Sequence, residues 1–72
     1  MALRIAEVLE MLSDGKWHTL EQVRRRMRLD GNQMRQIAEF LEKYEFVKMD
    51  EARKRMMIEE AVREFLAAGS TS

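Results

Sequence analysis

Apolar positions along this chain follow two different periods, and the change between them falls after residue 44. Ile5, Val8, Leu9 and Leu12 are spaced i, i+3, i+4, i+7, which predicts a first helix over 3–12, with Leu3 and Met11 outside the stripe. Ser13-Asp14-Gly15 ends that helix, Gly15 being suited to the left-handed residue that follows a helix. Lys16-Trp17-His18 is too short for a helix and β-compatible, so one short strand is expected there. Thr19-Leu20-Glu21-Gln22 has the form of a capping box, in which Thr19 caps and Gln22 reaches back. A second helix then runs from Leu20 to about Arg28, with Leu20, Val23 and Met27 inward. Arg28-Leu29-Asp30-Gly31 reads as a short turn with Leu29 buried beneath it, Gly31 allowing a tight path.

A third helix is expected from Asn32 to Tyr44, capped by Asp30 with Gln33 reaching back. Met34, Ile37, Ala38, Leu41 and Tyr44 fall on one apolar face of it. Asn32, Arg35, Glu39, Glu42 and Lys43 take the opposite face, and Gln33 and Gln36 lie at the border on the side of Phe40. Beyond it, Phe46–Met49 and Arg55–Ile58 are β-compatible segments around Asp50–Lys54, which predicts a hairpin, although no Asn-Gly or Asp-Gly marks its turn. Met56 and Ile58 should face inward and Arg55 and Met57 outward. Glu59 to Ala68 is a fourth helix, with Ala61, Val62, Phe65, Leu66 and Ala68 across an apolar side of about 160°. Residues 1–68 thus form one mainly α domain with a small β-hairpin, in the order α-β-α-α-β-β-α, and 69–72 form a polar tail.

Composition narrows the function classes. A chain of 72 residues buries only ~60% of its unfolded surface, so Trp17, the largest side chain, is expected as a core plug. His18 is expected at the surface. There is no cysteine and a single histidine, so neither disulfides nor a metal site is expected, and no cofactor is implied. Apolar runs are too short for a membrane span, and the acid-containing start lacks a secretory pattern, so the expected location is cytoplasmic. An enzyme is not expected: no Gly-rich phosphate loop, nucleophile–base pair or catalytic acid spacing is present. The net charge of zero hides a segregation of charge. Residues 22–36 carry five arginines against Asp30, and 53–55 are Arg-Lys-Arg, while 37–52 carry five acids against Lys43 and Lys48. One positive face on a neutral protein is the expectation.

Two helices joined by a short turn, the second opening with polar residues, form a helix-turn-helix. The full order of elements resembles the winged helix-turn-helix domain over residues 3–66, most closely the small prokaryotic regulators of the multiple-antibiotic-resistance and arsenical-repressor types. The matching residues are Gly15-Lys16-Trp17-His18-Thr19-Leu20 before the second helix, and Leu41-Glu42-Lys43-Tyr44-Glu45-Phe46-Val47 leading into the hairpin. The family usually has glycine where Glu45 stands, so either Glu45 accepts a strained positive φ or the corner is built differently. The resemblance implies binding of double-stranded DNA and transcriptional regulation, with helix 32–44 in the major groove and wing 48–57 on the backbone or minor groove. Carried over, the groove positions are Asn32, Gln33, Arg35 and Gln36, the wing positions are Arg53, Lys54 and Arg55, and Thr19 sits where such domains touch phosphate. The residue chemistry agrees, since Arg suits guanine and Asn or Gln suits adenine. Glu39 and Glu42 restrict entry to the first half of the helix. Pairing of two copies through residues 3–12 and 59–68 is a further expectation. The competing reading is a winged-helix module that docks another protein and binds no DNA.

Overall fold

The computed structural model describes residues 4–69 and contains four helices and one three-stranded antiparallel sheet. Leu3 and the tail residues Ser70, Thr71 and Ser72, about which the sequence made predictions, lie outside the described residues. Helix α1 spans Ile5–Leu12 and buries Val8 and Leu12. Its first turn is tied down by Arg4, whose guanidinium pairs with Glu7 and also donates to the carbonyl of Met27 at the end of the next helix. Gly15, at φ +76°, makes the turn out of α1 as expected, and its missing Cβ leaves room for the Arg63 guanidinium, which would lie 3.2 Å away.

Helix α2 spans Leu20–Met27. Thr19 caps it by accepting from the Gln22 N–H at 3.0 Å, which is the first arm of the expected capping box. The Leu20 N–H, free in an ordinary helix start, donates 2.8 Å to the carbonyl of Lys54 in the hairpin loop. The helix ends with Arg28 in the left-handed region, where Leu29 N–H bonds Arg24 O at 2.9 Å and Arg28 N–H bonds Arg25 O at 3.2 Å. This is a Schellman ending, and it folds Leu29 into the core as the sequence predicts. Gly31 plays no part in the tightness of the turn: its φ is not positive, and nothing lies within 4 Å of where a Cβ would stand.

Helix α3 spans Gly31–Lys43 and opens with a complete capping box, Asp30 accepting from Gln33 N–H at 2.7 Å and Gln33 Oε1 accepting from Asp30 N–H at 3.0 Å. Met34, Ile37, Ala38 and Leu41 are buried as expected. Tyr44 is not: it is the C-cap and is 54% exposed, its ring turned toward Phe40. A second Schellman ending follows, with Glu45 at φ +57°, Phe46 N–H bonded to Leu41 O at 2.8 Å and Glu45 N–H to Glu42 O at 3.0 Å. Glu45 therefore takes the strained backbone instead of avoiding it.

Strands β2 (Val47–Asp50) and β3 (Arg55–Ile58) form the hairpin, and β1 (His18–Thr19) adds to its other edge, giving the order β1-β3-β2. Val47 pairs with Ile58 and Asp50 with Arg55, while His18 pairs with Met56 and Thr19 with Arg55. Met56 and Ile58 point into the core, and Arg55 and Met57 are only half-buried on the other side, as the alternation predicts. β1 lies further along the chain than the expected Lys16–His18, because the pairing with β3 is made from His18 onward. Trp17, just before it, is 38% exposed and is not a core plug. The core is filled by Val, Leu, Ile, Ala and Met side chains from all three first helices and the sheet, and the indole lies outside it under the Arg55 guanidinium, 4.7 Å from the ring centre. His18 also departs from its expected surface position. Its side chain is 12% exposed, with Nε2 3.0 Å from both Asp14 oxygens and Nδ1 buried without a partner among the described residues.

Helix α4 spans Glu60–Gly69. Val62 and Leu66 pack against the core, whereas Phe65 is 75% exposed and Ala61 is exposed among the described residues. Among the described residues, the core thus covers the Val62 and Leu66 edge of the broad apolar side and leaves Phe65 outside it. Arg63 fastens the helix by donating from Nε to the Ser13 carbonyl at 3.1 Å. No helix among the described residues is long and apolar enough to cross a membrane.

Candidate nucleic-acid interface

Because Met34, Ile37, Ala38 and Leu41 commit one side of α3 to the core, Asn32, Arg35 and Gln36 are left exposed on its first two turns. Asn32 Oδ1 accepts from the Arg35 guanidinium, which holds the two side chains together one helical turn apart. Gln33 is half-buried and its Oε1 is taken by the capping box, so it braces the helix start more than it faces outward. Glu39 and Glu42 are exposed on the second half of α3, so its outer surface changes from amide and cationic to acidic along its length.

The hairpin cations divide into two kinds. Arg53 and Lys54 are exposed in the loop 51–54, Lys54 with φ +49°. The Arg53 N–H donates to Asp50 Oδ1 at 3.3 Å, which shapes the loop without engaging the guanidinium. Arg55 is different. Its Nε donates to Asp50 Oδ2 at 2.9 Å across the hairpin, and its guanidinium covers Trp17. That hydrogen bond holds the Asp50 carboxyl below the usual carboxylate range, against the smaller opposing effect of burial. Arg55 is thus a clamp between β3, β2 and Trp17.

Thr19 is exposed, with its oxygen accepting the Gln22 N–H and opposite Arg55 in register. Beside it lies an open depression lined by Thr19, Glu21, Gln22, Arg25 and Arg26. Sequence reasoning placed Thr19 but missed Gln22, Arg25 and Arg26, although Thr19, Gln22 and Arg26 stand at i, i+3, i+7 and share a helix side. Glu21 pairs with both Arg24 and Arg25, and these two hydrogen bonds, Arg24's the larger, lower its pKa to about 2. Arg24 also donates to the Leu29 carbonyl at 3.3 Å. Of the three consecutive arginines, Arg26 alone forms no ion pair among the described residues.

The fold therefore brings Asn32 to Arg35, and Thr19 to Arg55 with Lys54 close behind through Leu20. No hydrogen bond or ion pair among the described residues links the α3 group to the hairpin group. No cluster of three His, Cys, Asp or Glu side chains among them could hold a metal ion. Comparison of the chain with protein-family models, with curated proteins and with solved structures gives no match.

Proposed function

We propose that this chain is a sequence-specific DNA-binding protein of the winged helix-turn-helix type that acts in transcriptional regulation. The observation that carries the reading is the first half of α3, where Asn32, Arg35 and Gln36 are exposed together while the opposite side is held in the core. Arg and amide side chains in this arrangement match the donor and acceptor patterns of guanine and adenine in the major groove. Arg53 and Lys54 at the hairpin loop, and Arg26 beside Thr19, neutralise phosphate. The exposed Phe65 and Ala61 of α4 support pairing of two copies through 3–12 and 59–68, which would read two half-sites.

Anisotropy titration against random and selected duplexes at two salt concentrations tests both parts, with sedimentation of the same samples. Arg35→Ala is expected to cost about 1–3 kcal/mol on the selected site and much less on random DNA. Equal losses on both would remove Arg35 from base reading, and absence of any salt-dependent binding would end the DNA reading. A species of 8.6 kDa alone at micromolar concentration would end the pairing. A protein-docking module remains the second reading, favoured by the ion pairs that already engage Arg24, Arg25 and Arg55.

A further inference from the structure

We propose, resting on the DNA-binding reading, that the first half of α3 reads adjacent keto bases: a guanine held by Arg35, beside a second guanine or a thymine. Adenine is rejected at both positions. The side-chain oxygens in the first turn of α3 are already engaged within the chain. Asn32 Oδ1 accepts from the Arg35 guanidinium, and Gln33 Oε1 accepts from the Asp30 N–H at 3.0 Å. Arginine carries donors and no acceptor, and a backbone N–H can only donate. Both amides are therefore fixed with the oxygen toward its partner and the nitrogen left over. Among the described residues neither amide nitrogen donates a hydrogen bond.

A surface of donors calls for acceptors. In the major groove guanine shows acceptors at N7 and O6 and thymine shows one at O4, whereas adenine and cytosine each present an amino group. An amide side chain reads adenine by accepting from N6 while donating to N7. Asn32 Oδ1 keeps a second lone pair, but the guanidinium bonded to it would bring a cation and further N–H groups against that amino group. Arg35 uses one N–H on Asn32, and its others remain for the N7 and O6 of a guanine. The hydrogen bond between the two side chains also keeps them close enough to serve neighbouring base pairs, which lie about 3.4 Å apart. Gln33 is half-buried and adds donors alone. The next acceptors on the exposed side belong to Gln36 and Glu39. Gln36, whose amide no hydrogen bond holds among the described residues, is the side chain left to read adenine, one position further on.

The test is a selection by the full chain, at low salt, from a library of duplexes with a randomised core, followed by anisotropy titration of the recovered sequences. A guanine next to a guanine or thymine on one strand should be enriched. Replacing the Arg35 guanine by 7-deazaguanine, which lacks the N7 acceptor and keeps its pairing, should weaken binding about tenfold. Arg35→Ala should alter the preference as well as the affinity. It frees Asn32 Oδ1, so the same selection should now enrich adenine at the position Asn32 faces. Asn32→Ala should erase the preference for the second base and keep the guanine. Both side chains are exposed and neither caps α3, and melting curves establish that each variant is folded. Adenine enriched beside the guanine by the unaltered chain would overturn the proposal. So would indifference to 7-deazaguanine, or an Arg35→Ala selection that gains no adenine. Salt-dependent binding without base preference would place these donors on phosphate, which overturns the proposal and spares DNA binding. Absence of binding to every duplex would end the proposal and the DNA reading together.

Discussion

Among the described residues, Arg28, Glu45 and Lys54 hold φ between +49° and +57° without being glycine. An L side chain in this region crowds its own carbonyl, at a cost of about 1 kcal/mol or more. At Arg28 and Glu45 the cost is offset by two backbone hydrogen bonds each and by the apolar residue that follows, Leu29 or Phe46, reaching the core. Gly31, in contrast, opens α3 with an ordinary backbone and open space around it. Glu45→Gly is therefore expected to stabilise the protein by up to about 1 kcal/mol, part of the relief being returned as unfolded-chain entropy. For a domain of this size that is a rise of roughly 4–8 °C in Tm, readable by circular dichroism. A lower Tm would mean that the Glu45 side chain contributes a contact worth more than the strain.

At the scale of elements, the hairpin shows why a run of cations does not count as a unit. Arg53 and Lys54 face solvent, while Arg55 is held by Asp50 and lies over Trp17. If the chain binds DNA as proposed, replacing Arg53 and Lys54 by alanine should flatten the plot of log K for duplex DNA against log salt by about 2 units. Arg55→Ala should change that slope by well under one unit while lowering Tm, since it uncovers the indole and frees Asp50. A full unit lost with Arg55→Ala would show that the clamp opens on DNA. The sequence made the inward pair Met56 and Ile58 legible, because alternation is local. The addition of β1 was not legible: His18 meets Met56 only through the path of two intervening helices. The expectation for Trp17 failed for a related reason. Size argued for burial, but twelve smaller side chains close the core and a guanidinium from a distant strand shelters the ring.

For the molecule as a whole, neutral composition and local basicity are reconciled by pairing. Arg24, Arg25 and Arg55 are paired with Glu21 and Asp50, whereas Arg26, Arg35, Arg53 and Lys54 belong to the cations that form no ion pair among the described residues, as do Lys16, Arg28, Lys43 and Lys48. Helix spacing shows the Glu21 pairs in the sequence itself, at i+3 and i+4. The Asp50 pair depends on a strand register that no local pattern contains, and so does the exact membership of the candidate site. The Leu20 N–H, held by the Lys54 carbonyl, makes one amide in the first turn of α2 an observer of a loop thirty-four residues further on. Hydrogen exchange at Leu20 then reports how often the hairpin lifts from the helices, an opening smaller than global unfolding. In Arg55→Ala, Leu20 should exchange faster by a larger factor than Ile37 in the middle of α3. Equal acceleration at the two amides would mean that hairpin and helices come apart only together, and that the protein has no partly open form in which the loop could adjust to a partner.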